Sequence, residues 1–169
     1  MTSRIRKNPI VCLMISLFNL IRRRLKFQQD YVSKLIHLKQ GNEYEIFRHI
    51  TLQKQKNSSE SILIVSFKFA HLSHKANKII SIIPMLMIAG FPGFITKIYS
   101  VNKSNGYWQG IYQWDSNHSL SEYKNSLVFN IMKKRAVPES IKLTELNNYK
   151  LNESHNKNYL TLEKTIGRK

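Results

Sequence analysis

Read as extended chain, Ser61–Phe69 carries Leu63, Val65, Phe67 and Phe69 on one face and Ile62 and Ile64 on the other. Both faces are apolar, so this strand has to be covered twice, by helices on one side and by something else on the other. The segments that follow say what the helices are. Leu72, Ala76, Ile79, Ile80, Ile83 and Met87 keep helical spacing, Pro84 must kink or end the regular part, and Gly90-Phe91-Pro92-Gly93 breaks the chain. Phe94–Val101 alternates as a second strand, and Asn102-Lys103-Ser104-Asn105-Gly106 is a hairpin signal. The returning strand, Tyr107–Trp114, places Trp108, Gly110, Tyr112 and Trp114 on one face.

Ser119-Leu-Ser-Glu122 fits a capping box, predicting a helix with Leu120, Tyr123, Leu127, Val128 and Ile131 inward and Lys133, Lys134 and Arg135 at its negative pole. Pro138 stops it, and Ile141–Leu146 supplies a last strand. Strand, helix, strand, hairpin, strand, helix, strand is the split βαβ unit, an α+β, ferredoxin-like βαββαβ fold with both helices on one face of the sheet. The other face, equally apolar, would be open, and its cover is expected to be a second copy of the chain: a homodimer joined through the sheets.

With 169 residues there is room for one such domain and an extension. We divide the chain into an N-terminal helical extension (1–42), an extra strand and linker (43–60), the ferredoxin-like domain (61–146) and a polar tail (147–169). Within 43–60, Ile46, Ile50 and Leu52 alternate with polar residues as a strand, and Gln53–Glu60 has nothing with which to build a core.

The net charge of +17 raises nucleic acid as a partner, but the excess is spread over every segment and lysine outnumbers arginine 19 to 8. Apart from the cluster Arg22, Arg23, Arg24 and Lys26, that distribution argues against a dedicated phosphate-binding face. A single cysteine, Cys12, excludes an intrachain disulfide and a cysteine-based zinc site.

Residues 10–21 are uncharged and lie between Arg4, Arg6, Lys7 and the triplet Arg22, Arg23, Arg24. Twelve residues are too few to cross a bilayer, which takes about 20, and the run ends in arginines where a signal peptide needs small residues. As a helix, with Phe27–Leu38 as its continuation and Gly41-Asn42 as its stop, it has an apolar stripe of Ile10, Leu13, Met14, Leu17, Phe18, Ile21 and Leu25. Such a helix suits either the surface of an anionic membrane, with Arg22–Arg24 on the headgroups, or packing on protein. The expected location is cytoplasmic, with peripheral attachment at the inner face of the membrane.

The runs Phe91-Pro-Gly-Phe-Ile-Thr-Lys-Ile-Tyr99, Gly106-Tyr-Trp-Gln-Gly-Ile-Tyr-Gln-Trp114, Ser121-Glu-Tyr-Lys-Asn-Ser126 and Arg135-Ala-Val-Pro138 resemble the monooxygenase-like family of the dimeric α/β-barrel superfamily, similar in fold to the antibiotic-biosynthesis monooxygenases. The resemblance covers about residues 61–146. It implies an enclosed apolar cavity for a small apolar or aromatic molecule, lined by Phe67, Tyr99, Trp108, Tyr112, Trp114 and Tyr123, and an oxygenation that uses no cofactor because the substrate itself reduces dioxygen. Asn117 and His118, after the third strand, are the candidates for a polar pair at the cavity mouth, with His118 as general base. The haem-degrading branch has an Asn on its first strand and a His late on its second helix; here Ile62–Phe69 and Ile131–Arg135 offer neither. His71 and His74 have metal-ligand spacing but lack a third ligand in sequence, so no metal is assigned. The rival class is a non-enzymatic binding or scaffold protein attached to a membrane. A closed cavity near Trp108, Tyr112 and Trp114 with at least one polar group directed into it favours the first reading, and a barrel filled by side chains favours the second.

Overall fold

The computed structural model describes residues 5–37, 43–53, 61–147, 149–153 and 159–164. Helix α1 (Pro9–Ile21) starts on Asn8, whose side-chain oxygen accepts the Ile10 N–H at 2.9 Å, with Pro9 in the first turn, where no donor is lost. It stops at a Schellman motif: Arg24 N–H donates to the Asn19 carbonyl and Arg23 N–H to that of Leu20, with Arg23 in the left-handed region at φ 56°. The expected helical continuation through Phe27–Leu38 is thereby corrected. The chain turns into β1 (Leu25–Gln28) and β2 (Leu35–His37), which both pair antiparallel along β3 (Glu43–Leu52). The expected strand at 44–52 is thus present, and β3 pairs in turn with the hairpin strand β5 (Phe94–Val101). The stop at Gly41-Asn42, Arg4 and residues 54–60 of the expected linker lie outside the described residues.

The remaining elements are β4 (Ser61–Phe67), α2 (His74–Ile80), α3 (Ile82–Ala89), β6 (Trp108–Trp114), α4 (Asn117–Lys124), α5 (Leu127–Lys133), β7 (Lys142–Asn147), β8 (Tyr149–Glu153) and β9 (Tyr159–Lys164). The last two show that the polar tail carries strands. The strand order is β7-β4-β6-β5-β3-β2-β9-β8, and its first four members stand in the antiparallel order of a ferredoxin-like sheet.

Each long helix expected between the strands is two short ones. Pro84 cannot donate to the carbonyl four residues before it, that of Ile80, so α2 ends there and Ser81 caps the junction. In the second case Ser126 restarts the helix by accepting the Phe129 N–H at 3.2 Å. The restart changes the helical phase: Val128 is buried as expected, but Leu127 and Ile131, expected inside, are exposed, and Phe129 and Met132 are buried in their place. The capping residue also shifts, from Ser119 to Ser116, whose hydroxyl accepts the Ser119 N–H at 3.2 Å, while Glu122 forms an ion pair with Lys7.

The helices cover the face that carries Leu63, Val65, Phe67, Tyr99, Trp108, Tyr112 and Trp114. On the other face, Ile62, Ile64, Ile98 and Ile111 join Ile36, Tyr44 and Ile46 in a second cluster, none more than 5% exposed. Its cover comes from the chain's own curvature. β7 and β8 stand at opposite ends of the strand order, yet Asn147 and Tyr149 are two residues apart, at most about 7 Å. The nine strands therefore roll until their ends meet around the second cluster. The open face that called for a partner copy is buried within one chain.

Helix α1 rests on this body through its small residues. Ser16 donates to the Leu86 carbonyl at 2.5 Å, and a Cβ on Gly90 would lie 1.8 Å from the Cys12 carbonyl oxygen. Gly90→Ala should therefore force α1 off α3, with a loss of about 2–4 kcal/mol in urea unfolding. Cys12 reports the same event. Its thiol is fully buried, donates to the Arg6 carbonyl, and is pushed up to about 11 by burial, so it should resist alkylation in the native wild type and react readily in Gly90→Ala.

His49, buried on β3, is held by Thr96 and Thr51 at 2.9 and 3.0 Å and stacks on Tyr31. Burial lowers its pKa to about 4, with Asp30 opposing the shift. The unfolded chain then takes up the proton first. The stabilisation is complete above the ordinary histidine value of 6.5 and is lost as pH falls from there to about 4, up to about 3 kcal/mol. Urea midpoints measured from pH 7 to 4.5 should fall more steeply for wild type than for His49→Gln; parallel curves would refute the assignment.

Candidate functional site

Strand β5 has a bulge between Phe94 and Thr96 where it pairs with β6, after which Lys97, Tyr99 and Val101 alternate on the helix-covered face. Lys97 is thereby carried into the protein, 3% exposed. Its partners across the ladder are Tyr112 for Lys97 and Gly110 for Tyr99. Opposite Tyr99 there is thus no side chain, and the Tyr112 ring leans into that space, 2.7 Å from where a Cβ on Gly110 would stand. Between these strands and the helices remains a cavity with about 430 Å3 of empty space, counting solvent at its open side. Its walls include Phe67, Phe69, Pro84, Ile88, Tyr99, Trp108, Tyr112 and Met132, and its polar lining includes Lys97, Ser81 and Arg135.

The Lys97 ammonium nitrogen lies 3.9 Å from the Tyr99 ring centre and 4.1 Å from that of Tyr112, and no hydrogen bond or carboxylate reaches it among the described residues. Burial, reinforced by repulsion from Arg48 and Arg135, holds its pKa well below the ordinary lysine range. The Tyr99 hydroxyl, buried with no hydrogen-bond partner among the described residues, is pushed far above its usual range and stays protonated.

Both arginines are fixed by neutral acceptors. Arg48 donates to the Ser81 hydroxyl at 2.9 Å and the Lys78 carbonyl at 2.8 Å; Arg135 lies over the Phe69 ring and donates to the Asn77 side-chain oxygen at 3.3 Å. Asn77 in turn donates to the carbonyls of His71 and Leu72. One apolar cavity is thus bordered by the Lys97 amine and the Arg135 guanidinium, with the Arg48 guanidinium behind Ser81, and none of them has a described carboxylate partner. An arrangement of that kind can bind an anion, or create one by taking a proton from a bound acid.

Of the six aromatic residues singled out in the sequence, Phe67, Tyr99, Trp108 and Tyr112 line the cavity. Trp114 and Tyr123 stack on each other at 4.6 Å in the fully buried layer behind Tyr112, with Phe91 and Phe94 edge-on to Trp114. Asn117 and His118 are exposed on the first turn of α4, outside the lining, and Asn117 accepts a hydrogen bond from Ser61. Arg22, Arg23 and Arg24 are exposed at the end of α1. His74 accepts the Trp108 indole N–H at 3.0 Å, and among the described residues no three His, Cys, Asp or Glu side chains come together as a metal site. Lys97, Arg48 and Arg135 were not singled out as site residues. Their signal was the phase of Lys97 with Tyr99 and Val101 on an apolar strand face.

No family model and no curated protein matches this sequence. Among solved structures the chain is similar to an anthrone oxidase-like protein (12% identity over 63% of this chain and 52% of that one, TM-score 0.40). It is also similar to a heme-degrading enzyme from Listeria monocytogenes (16%, 76% and 90%, TM-score 0.44). A third is an uncharacterised ferredoxin-fold protein from Listeria monocytogenes related to antibiotic biosynthesis monooxygenases (15%, 78% and 86%, TM-score 0.45). The chain spans about half the length of the first two chains matched, 49% and 52%. The ferredoxin-like order of strands and helices is read directly from the chain's own sheet.

Proposed function

We propose that the cavity binds a small aromatic molecule with an acidic hydroxyl or enol group and that Lys97 removes its proton. The observation that carries this reading is the Lys97 amine itself, buried against two aromatic rings, without a hydrogen bond among the described residues, and lining an apolar cavity. The O–H proton passes to Nζ, leaving an ammonium ion and an anion beside it. Arg135 at the cavity wall and Arg48 behind Ser81 favour that anion electrostatically.

The finer reading is oxygenation without a cofactor. An electron-rich anion of this class transfers an electron to dioxygen, the radical and superoxide join through a C–O bond, and the peroxide takes the proton back from the Lys97 ammonium. Loss of water from a CH–OOH centre then gives a ketone, so one methylene and one O2 become one carbonyl and one water. The phenolic hydroxyls of Tyr99 and Tyr112, kept protonated by burial, do not compete for that proton.

p-Nitrophenol serves as a probe because its absorption reports its ionisation. It should bind as the phenolate at a pH where the free probe is still largely protonated, and Lys97→Met should abolish that shift and weaken binding about tenfold, ~1.4 kcal/mol. Equal binding and an unchanged spectrum in Lys97→Met would overturn the assignment. The rival reading, attachment to a membrane, draws on a different surface.

A further inference from the structure

α1 has no charged residue, and it carries more apolar surface than its packing uses: Leu13 and Leu20 join the core on one side. Its small residues Cys12 and Ser16 face inward, while Ile10, Met14, Leu17, Phe18 and Ile21 form one stripe in water, with Ile21 81% and Ile10 69% exposed. α3, against which α1 packs, exposes Ile82 and Ile83 as well. Exposed apolar surface of this extent marks a docking face.

Charge names the occupant. No Asp or Glu occurs from residue 1 to 29 or from 61 to 114, the stretches that supply α1, α2 and α3. Lys7, at the start of α1, is engaged by Glu122 of α4, but Arg22, Arg23 and Arg24 have no described ion-pair partner. The Arg22 guanidinium lies 4.2 Å from the centre of the Phe18 ring, which puts cation and apolar stripe on one surface. A second copy of the same face would bring these cations against each other, whereas an anionic lipid surface offers hydrocarbon to the stripe and phosphate to the arginines.

We infer that α1 is a membrane-docking helix, lying in the headgroup layer of an anionic bilayer with Ile10, Met14, Leu17, Phe18 and Ile21 inserted and Arg22–Arg24 on lipid phosphates. It does not cross: α1 has 13 residues, and among the described residues no helix is long and apolar enough to span. The docking stands independently of what the cavity binds.

The test is co-sedimentation of the full chain with vesicles of phosphatidylglycerol and phosphatidylcholine in equal parts, against phosphatidylcholine alone, at low and high salt. Binding is expected to the anionic vesicles only and to weaken as salt rises. It should fall about a hundredfold in the triple variant Arg22→Glu, Arg23→Glu, Arg24→Glu, and be lost in Phe18→Glu with Ile21→Glu. All substituted positions are exposed, so thermal midpoints should match wild type and separate lost docking from lost folding. A chain that stays in the supernatant throughout, or binds equally in the folded variants, overturns the inference. So does a lipid-free dimer that Phe18→Glu with Ile21→Glu converts to monomer, since a second copy would then own the face.

Discussion

A sheet that is apolar on both faces cannot leave either in water, and most of this architecture follows from satisfying that condition within one chain. Each fully buried isoleucine contributes about 1.5–3 kcal/mol. Exposing the six isoleucines of the second cluster would therefore cancel the ~5–15 kcal/mol by which a typical domain is stable. The helices cover one face. For the other, the chain lengthens the sheet from four strands to nine and rolls it, with β7 running on into β8 as the tie between its ends. The terminal segments are thus required by the sheet they enclose.

The division of labour between the two faces decides where chemistry can sit. The second cluster is isoleucine at six of seven positions, all of them buried. The helix side is built from rings and from four short helices, shapes that fill space less evenly. Room is left between these strands and the helices, and Lys97 opens onto it.

The order of elements from Ser61 to Leu146 was legible because period-two alternation and Gly, Pro and Asn-Gly punctuation are local signals. β5 begins and ends where the alternation does. What was not legible depended on tertiary geometry or on uncommon backbone choices. The end of α1 is a left-handed Arg23 where such a motif ordinarily carries glycine, so nothing in the residue type announced the stop. The split at Ser126 lies in a stretch whose apolar spacing reads equally well as one helix, and the change of phase reverses which residues of α5 are buried. Coverage of the second face depended on where strands far apart in sequence would pair, which periodicity does not encode. Within the site, the aromatic lining was readable from the alternation of β6, whereas Lys97 passed for an ordinary strand lysine because lysines are normally at the surface.

Such a lysine is expensive where it stands. Removing an ammonium ion from water without a compensating hydrogen bond or counter-ion costs several kcal/mol. The two aromatic faces return only part of that, about 2 kcal/mol for a well-desolvated cation–π contact. Arg48 and Arg135 make the charged form worse still. Burial therefore favours the neutral amine over the ammonium ion, and among the described residues no carboxylate stands beside it. On the proposed function, a bound acid would hand its proton to Lys97 and its anion would supply the counter-charge that no described carboxylate gives, so that ligand and site would each remove the other's electrostatic cost.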